Sequence, residues 1–151
     1  MLLYMTFISF IATFGFAILF NIKGKKLLFA ALGGGISWFF YSLSLSLNFS
    51  EVSSLFISAL FFSTYSEIMA RLFKTPVTTF VICALIPLVP GSGMYYTMLA
   101  TINGELHKAV ELGLKTLASA GTLALGVLFI STITSLIFRL KRKHVARRFN
   151  Q

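Results

Sequence analysis

The chain has 151 residues, 57% hydrophobic and only 11% charged, and its four acids are all Glu. A soluble domain carries about 25% charged residues, so this scarcity and a mean hydropathy of +0.88 exclude an ordinary water-facing surface. A net charge of +9 could suit nucleic acid, but the basic residues sit in short clusters between and after long apolar runs, as membrane topology signals do.

A membrane span needs about 20 mainly apolar residues, and an all-α protein of five spans is predicted. The first covers 2–20 and ends at Asn21, ahead of Lys23, Lys25 and Lys26. It lacks the charged n-region and small-residue cleavage site of a secretory signal, so it reads as a retained span. Asn21 either caps this helix or donates to a substrate. The second span covers 27–47 and is followed by the polar Asn48-Phe49-Ser50-Glu51. Its Gly33-Gly34-Gly35 is no nucleotide loop, because no strand precedes it and no phosphate-binding Lys follows. Ala30 and Gly34 form a small-xxx-small pair suited to close helix packing. Trp38 sits mid-span, where core packing outweighs ligand stacking.

The third span, 52–72, holds Glu67, the one acid inside a span, with Arg71 a turn later. The two read either as a stabilising i,i+4 pair or as coupling or gating residues, since ionisable groups in a membrane are functional candidates. The fourth span, 76–102, is interrupted. The stretch 103–116 is less apolar and is either an interfacial helix or an early extension of the fifth span, 117–138. A basic cytoplasmic tail, 139–151, follows and suits anionic lipid headgroups better than nucleic acid.

With five spans, the clusters at 23–26, at 71–74 and after 138 share one side, giving eleven Lys and Arg against Lys108 and Lys115 on the other. That bias places the N-terminus outside and the C-terminus in the cytoplasm.

The interruption, Ile86-Pro87-Leu88-Val89-Pro90-Gly91-Ser92-Gly93, carries the most chemistry. Each Pro lacks an amide donor and clashes with the carbonyl four residues back, and Gly permits other backbone angles. Two Pro followed by Gly-Ser-Gly should break the helix within the hydrocarbon, where freed backbone must be buried in protein or line a wet cavity. A half-helix starting near Ser92 would present amide donors and a positive dipole end to an anion. Broken helices at mid-depth mark binding sites in many transporters. Pro90, Gly91, Ser92, Gly93 and Tyr95, with Asn21, are therefore the expected substrate-binding residues. The plainer alternative is a kinked packing helix.

Four segments carry a family resemblance. They are Gly15-Phe16-Ala17-Ile18-Leu19-Phe20-Asn21, Gly33-Gly34-Gly35-Ile36-Ser37-Trp38, Thr75-Pro76-Val77, and Ile86-Pro87-Leu88-Val89-Pro90-Gly91 followed by Tyr95. Across nearly its whole length the chain resembles the threonine/serine exporter family, specifically the small, YjjB-like half of a two-protein exporter. The resemblance implies a larger partner subunit with its own spans and a cytoplasmic segment. It implies export of small carboxylate-bearing metabolites, threonine and serine or dicarboxylates such as succinate, by alternating access across the bacterial cytoplasmic (inner) membrane. The alternatives are a non-transporting scaffold or accessory subunit and a passive channel.

Enzyme chemistry has no candidate residues: no Asp occurs, and nothing suggests a catalytic triad. Cys83 lies alone in an apolar run, and His107 and His144 fall on opposite sides of the membrane, so neither a disulfide nor a metal or other cofactor is expected.

Overall fold

The computed structural model describes residues 2–148, with side chains through Phe138. The described residues form α1 (Leu2–Leu19), α2 (Lys25–Ser46), α3 (Glu51–Leu72), α4 (Thr78–Leu85), a 3₁₀ turn (Ile86–Leu88), α5 (Gly91–Ile102) and α6 (Leu106–Arg148). No strand occurs among them. Four helices are long and apolar enough to cross a membrane, and α4 with α5, bent by 55° at a short break, makes up to a fifth if the pair counts as one span.

Two boundaries are resolved by α6. Residues 106–116 belong to the same helix as the fifth span, so no separate interfacial helix exists there. The helix also continues to Arg148 through most of the predicted basic tail, whose last residues, Phe149 to Gln151, lie outside the described residues together with the side chains from Arg139 onward. Its 43 residues span about 65 Å at 1.5 Å each.

Helices in lipid gain little from hydrophobic exclusion, so they associate through small residues that let backbones approach. α1 crosses α2 where Gly34 faces Thr13, and α4 lies on α2 where a Cβ at Gly33 would stand 3.1 Å from Ala84. α3 meets α6 where Gly126 faces Ala59. Hydrogen bonds add to this packing: Ser58 Oγ donates to the Ser37 carbonyl at 2.5 Å, and Tyr65 Oη donates to that of Phe29 at 2.8 Å, both tying α3 to α2.

Four helices end alike. Asn21, Asn48, Lys74 and Gly104 take φ of 57°, 63°, 50° and 76°. After each, the next amide reaches back to the carbonyl five residues earlier: Ile22 to Ala17, Phe49 to Ser44, Thr75 to Ala70 and Glu105 to Ala100. This paired turn satisfies carbonyls that the helix end would otherwise leave bare, and Asn or Gly tolerates its left-handed residue best.

The pairings fix direction. Ala59 sits beside Gly126, and the Arg71 guanidinium lies over the Phe138 ring, so α3 and α6 run parallel. Phe29 packs on Phe73 and Phe73 on Phe80, with ring centroids 5.1 and 6.0 Å apart. The start of α2, the end of α3, the start of α4 and Phe138 thus share one end of the bundle, hereafter the basic end. The interruption lies toward the other. α4 and the 3₁₀ turn together hold 11 residues, less than 20 Å of chain, which is short of a hydrocarbon core about 30 Å thick.

Candidate functional site

Pro87 occupies the 3₁₀ turn, and the chain leaves helical geometry at Val89 (ψ 127°) and Pro90 (ψ 57°) before α5 begins. The Gly91 amide folds back onto the Val89 carbonyl at 2.7 Å. The amides of Ser92 and Gly93 find no backbone carbonyl among the described residues, and no side chain caps α5. Those two donors are the ones the interruption uncovers.

Ser92 and Gly93 line a cavity of about 430 Å³. One wall is Pro87 to Pro90 with Ser92 and Gly93; α2 gives Trp38 and Tyr41, α3 gives Glu51 and Leu55, and α6 gives Leu112, Lys115, Thr116 and Ser119. The Trp38 and Tyr41 rings stand 5.5 Å apart, and the buried Trp38 Nε1 has no partner among the described residues. Thr116 and Ser119 spend their protons on their own helix, donating to Leu112 and Lys115 carbonyls at 2.7 and 3.0 Å. The donors at the cavity without a partner among the described residues are the Ser92 and Gly93 amides, the Ser92 hydroxyl and the Tyr41 phenol; the exposed Lys115 ammonium also lines it and pairs with Glu111 at 2.7 Å. Glu51 is the cavity's one carboxylate.

Gly93 is what allows this geometry, since a Cβ there would collide with Thr116. Gly91 borders the cavity without lining it, and a Cβ there would meet open space.

The expected site residues separate into three places. Pro90, Ser92 and Gly93 line the cavity. Tyr95 is 63% exposed and turned outward. Because Gly93 faces α6, a residue two positions on points roughly 200° away. Asn21 lies at the basic end, where it forms the left-handed residue closing α1.

Glu67 lines a second, smaller and mostly apolar chamber of about 130 Å³ near the basic end, which its partner Arg71 does not line. Glu67 is 6% exposed, and its Oε2 accepts from Arg71 Nη2 at 3.0 Å. The Arg71 guanidinium lies 3.5 Å over the Phe138 ring. Ser63, Thr78 and Ser131 share the chamber with Glu67 and three Val residues. The buried Ser63 Oγ has no partner among the described residues.

Glu51 and Lys115 were not expected here. They border different spans, and their meeting depends on the parallel packing of α3 and α6. The available signal was that both mark the same non-basic face.

A family model described as threonine/serine exporter, ThrE, matches residues 5–133. No curated protein and no solved structure matches the chain. Exporters of this kind are membrane transporters and not an enzyme class. An all-helical bundle with a broken span, matched by that model over most of its length, belongs to the threonine/serine exporter family.

Proposed function

We propose that the chain is the small subunit of an exporter for small zwitterionic amino acids and that the cavity at the break is its substrate site. The observation carrying this reading is that one cavity is lined by groups for both ends of a zwitterion: Lys115 with Ser92 and Gly93, whose amides are unpaired, and Glu51 with Trp38 and Tyr41. A substrate carboxylate matches the α5 N-terminus, where the dipole is worth about 0.3–1 kcal/mol at a surface and up to ~2 when partly buried. An ammonium matches Glu51 and the aromatic faces. A dicarboxylate such as succinate would set its second negative charge against Glu51, so threonine or serine fits better.

The basic end faces the cytoplasm of a bacterial inner membrane, leaving the N-terminus outside and the cavity toward the exterior. A larger membrane subunit completes the pathway, and rocking between the two halves exposes the site alternately. An odd number of spans lets a homologous five-span half lie inverted, a common transporter architecture. Glu67 and Arg71 are the coupling or gating residues at the cytoplasmic mouth.

Efflux of preloaded threonine, serine and succinate from cells expressing both subunits tests the reading. Threonine efflux should fall at least tenfold in Lys115→Ala and recover in Lys115→Arg. Succinate efflux without threonine efflux would overturn the substrate assignment. Absence of any efflux, with the partner stable only when this chain is present, would leave an accessory subunit.

A further inference from the structure

α3 and α6 touch at a fulcrum. Gly126 lies so close to Ala59 that a Cβ on Gly126 would collide with it. Toward the basic end, the Arg71 guanidinium covers the Phe138 ring at 3.5 Å. Both pairs are 67 positions apart, so the two parallel helices keep one register over this length. On either side of the fulcrum they part. The cavity at the break opens between Glu51 and Leu55 of α3 and Lys115 and Ser119 of α6. The smaller, mostly apolar chamber lies between Ser63 and Glu67 of α3 and Val127 and Ser131 of α6. An apolar void forfeits packing contacts, so on the basic side of the fulcrum the two helices can part without breaking a close-packed seam.

The two ends carry matching devices in opposite states. At the basic end the latch is shut: Glu67 holds the Arg71 guanidinium at 3.0 Å on its own helix, and the guanidinium reaches across to α6. At the other end the same register sets Glu51 level with Ala118, so Lys115 stands one turn, roughly 4.5 Å of rise, further out. A flexible lysine stem spans that offset, and the two charges already lie within electrostatic reach of each other. Lys115 is instead turned to Glu111 on its own helix, at 2.7 Å. α5 is fitted to α6 where Gly93 meets Thr116 and Gly113 meets Thr97, and the chain joining this pair to α4 leaves helical geometry at Val89 and Pro90.

We infer that α5 and α6 rock as a unit on α3 about Gly126 and Ala59, and that Glu51 and Lys115 form an outer gate that closes when the inner latch of Arg71 and Phe138 opens. The arrangement described here is the outward-open one. In the opposite arrangement Lys115 leaves Glu111 for Glu51 across the cavity mouth, and Phe138 moves off Arg71, which stays with Glu67. The two side chains that would hold a zwitterion thus close on each other when the site is empty. This inference rests on the proposed alternation of access, not on the identity of the substrate.

The test uses the full chain in membranes without substrate, with Cys83→Ala as background. In one preparation Leu55→Cys with Ser119→Cys reports closure of the cavity by copper–phenanthroline disulfide formation. In another, Ser131→Cys reports opening of the inner chamber by N-ethylmaleimide labelling. Phe138→Leu removes the ring but keeps the pair of Glu67 and Arg71. It should raise both rates about two- to fivefold, the scale of a lost cation–π contact. Glu51→Gln should lower both about twofold, the scale of a lost exposed ion pair. Faster labelling at Ser131→Cys with unchanged disulfide formation overturns the rocker, because the inner end would then open locally. Unchanged rates at both reporters overturn it as well. Should Phe138→Leu not fold, Glu51→Gln decides alone, and unchanged labelling at Ser131→Cys overturns the inference. Threonine efflux from the same cells reads the proposed function separately, so intact efflux with uncoupled reporters overturns the rocker alone.

Discussion

The two halves of the broken span live in different surroundings. In α4, Phe80, Cys83 and Ala84 are all fully buried, and the helix packs on α2, α3 and the end of α1. In α5 only Ala100 is buried, and the helix packs on α6. Met94, Tyr95, Met98 and Ile102 leave more than half their surface open on its outer side. One half is anchored in the body; the other leans on a single neighbour. The two free amides stand at the joint, so the anchored half fixes the depth of the site while the leaning half can change its width.

Substitutions in the anchored body should act on stability. The largest effect is expected for Gly34→Leu, because even a Cβ there runs into Thr13 where α1 crosses α2. Overpacking costs about 1–3 kcal/mol and occasionally more, so the variant should lose most of its monodisperse yield in detergent. Normal yield and thermal midpoint would show that the crossing is loose and would weaken the contrast between the halves.

At the joint, Gly93→Ala and Gly91→Ala should part company. The first must push Thr116 away and should cost about 1–3 kcal/mol while cutting threonine efflux severalfold. The second meets open space and should change stability by about +0.4 to +1 kcal/mol through a stiffer unfolded chain. Equal thermal midpoints for the two variants would show that α5 does not depend on its contact with α6.

On α6, the neighbour on which the leaning half rests, Lys115→Ala should leave the thermal midpoint unchanged, since the ammonium is exposed and bonds only to the neighbouring Glu111. The threonine concentration giving half-maximal efflux should rise about tenfold, the scale of a lost charge-assisted hydrogen bond. A shifted midpoint with unaltered efflux would reassign Lys115 to stability. The smallest effect, of opposite sign, belongs to Ser54→Ala in α3. Its hydroxyl is fully buried without a partner among the described residues, and removing it should raise stability by up to about 1 kcal/mol in chemical unfolding.

Most of the fold was legible in the sequence because lipid imposes a coarse rule. Uninterrupted apolar runs of bilayer length must become helices, and the two Pro with Gly91 and Gly93 had to break one. The interruption was legible for the same reason, although only the structure shows that the Gly91 amide is spent on Val89. Cross-helix geometry was less legible. Glu51 and Lys115 lie 64 positions apart, and only the shared direction of α3 and α6 brings them to one cavity. Tyr95 failed as a cavity residue because the phase of α5 is set by Gly93 against α6, which sequence spacing alone does not reveal. Asn21 was ambiguous because a left-handed helix end and a hydrogen-bond donor ask for the same residue. The length of α6 was hidden because its polar first turns resemble a surface segment when read alone.

The capped helix ends bear on how such a bundle moves. At Asn21, Asn48, Lys74 and Gly104 a doubled backbone clasp locks each exit angle, so neighbouring rods cannot swing independently about these corners. The joint at Val89 and Pro90 lacks that clasp. Displacement therefore concentrates at one pivot, and the pivot is also where the cargo would sit, so occupancy and opening become the same mechanical event.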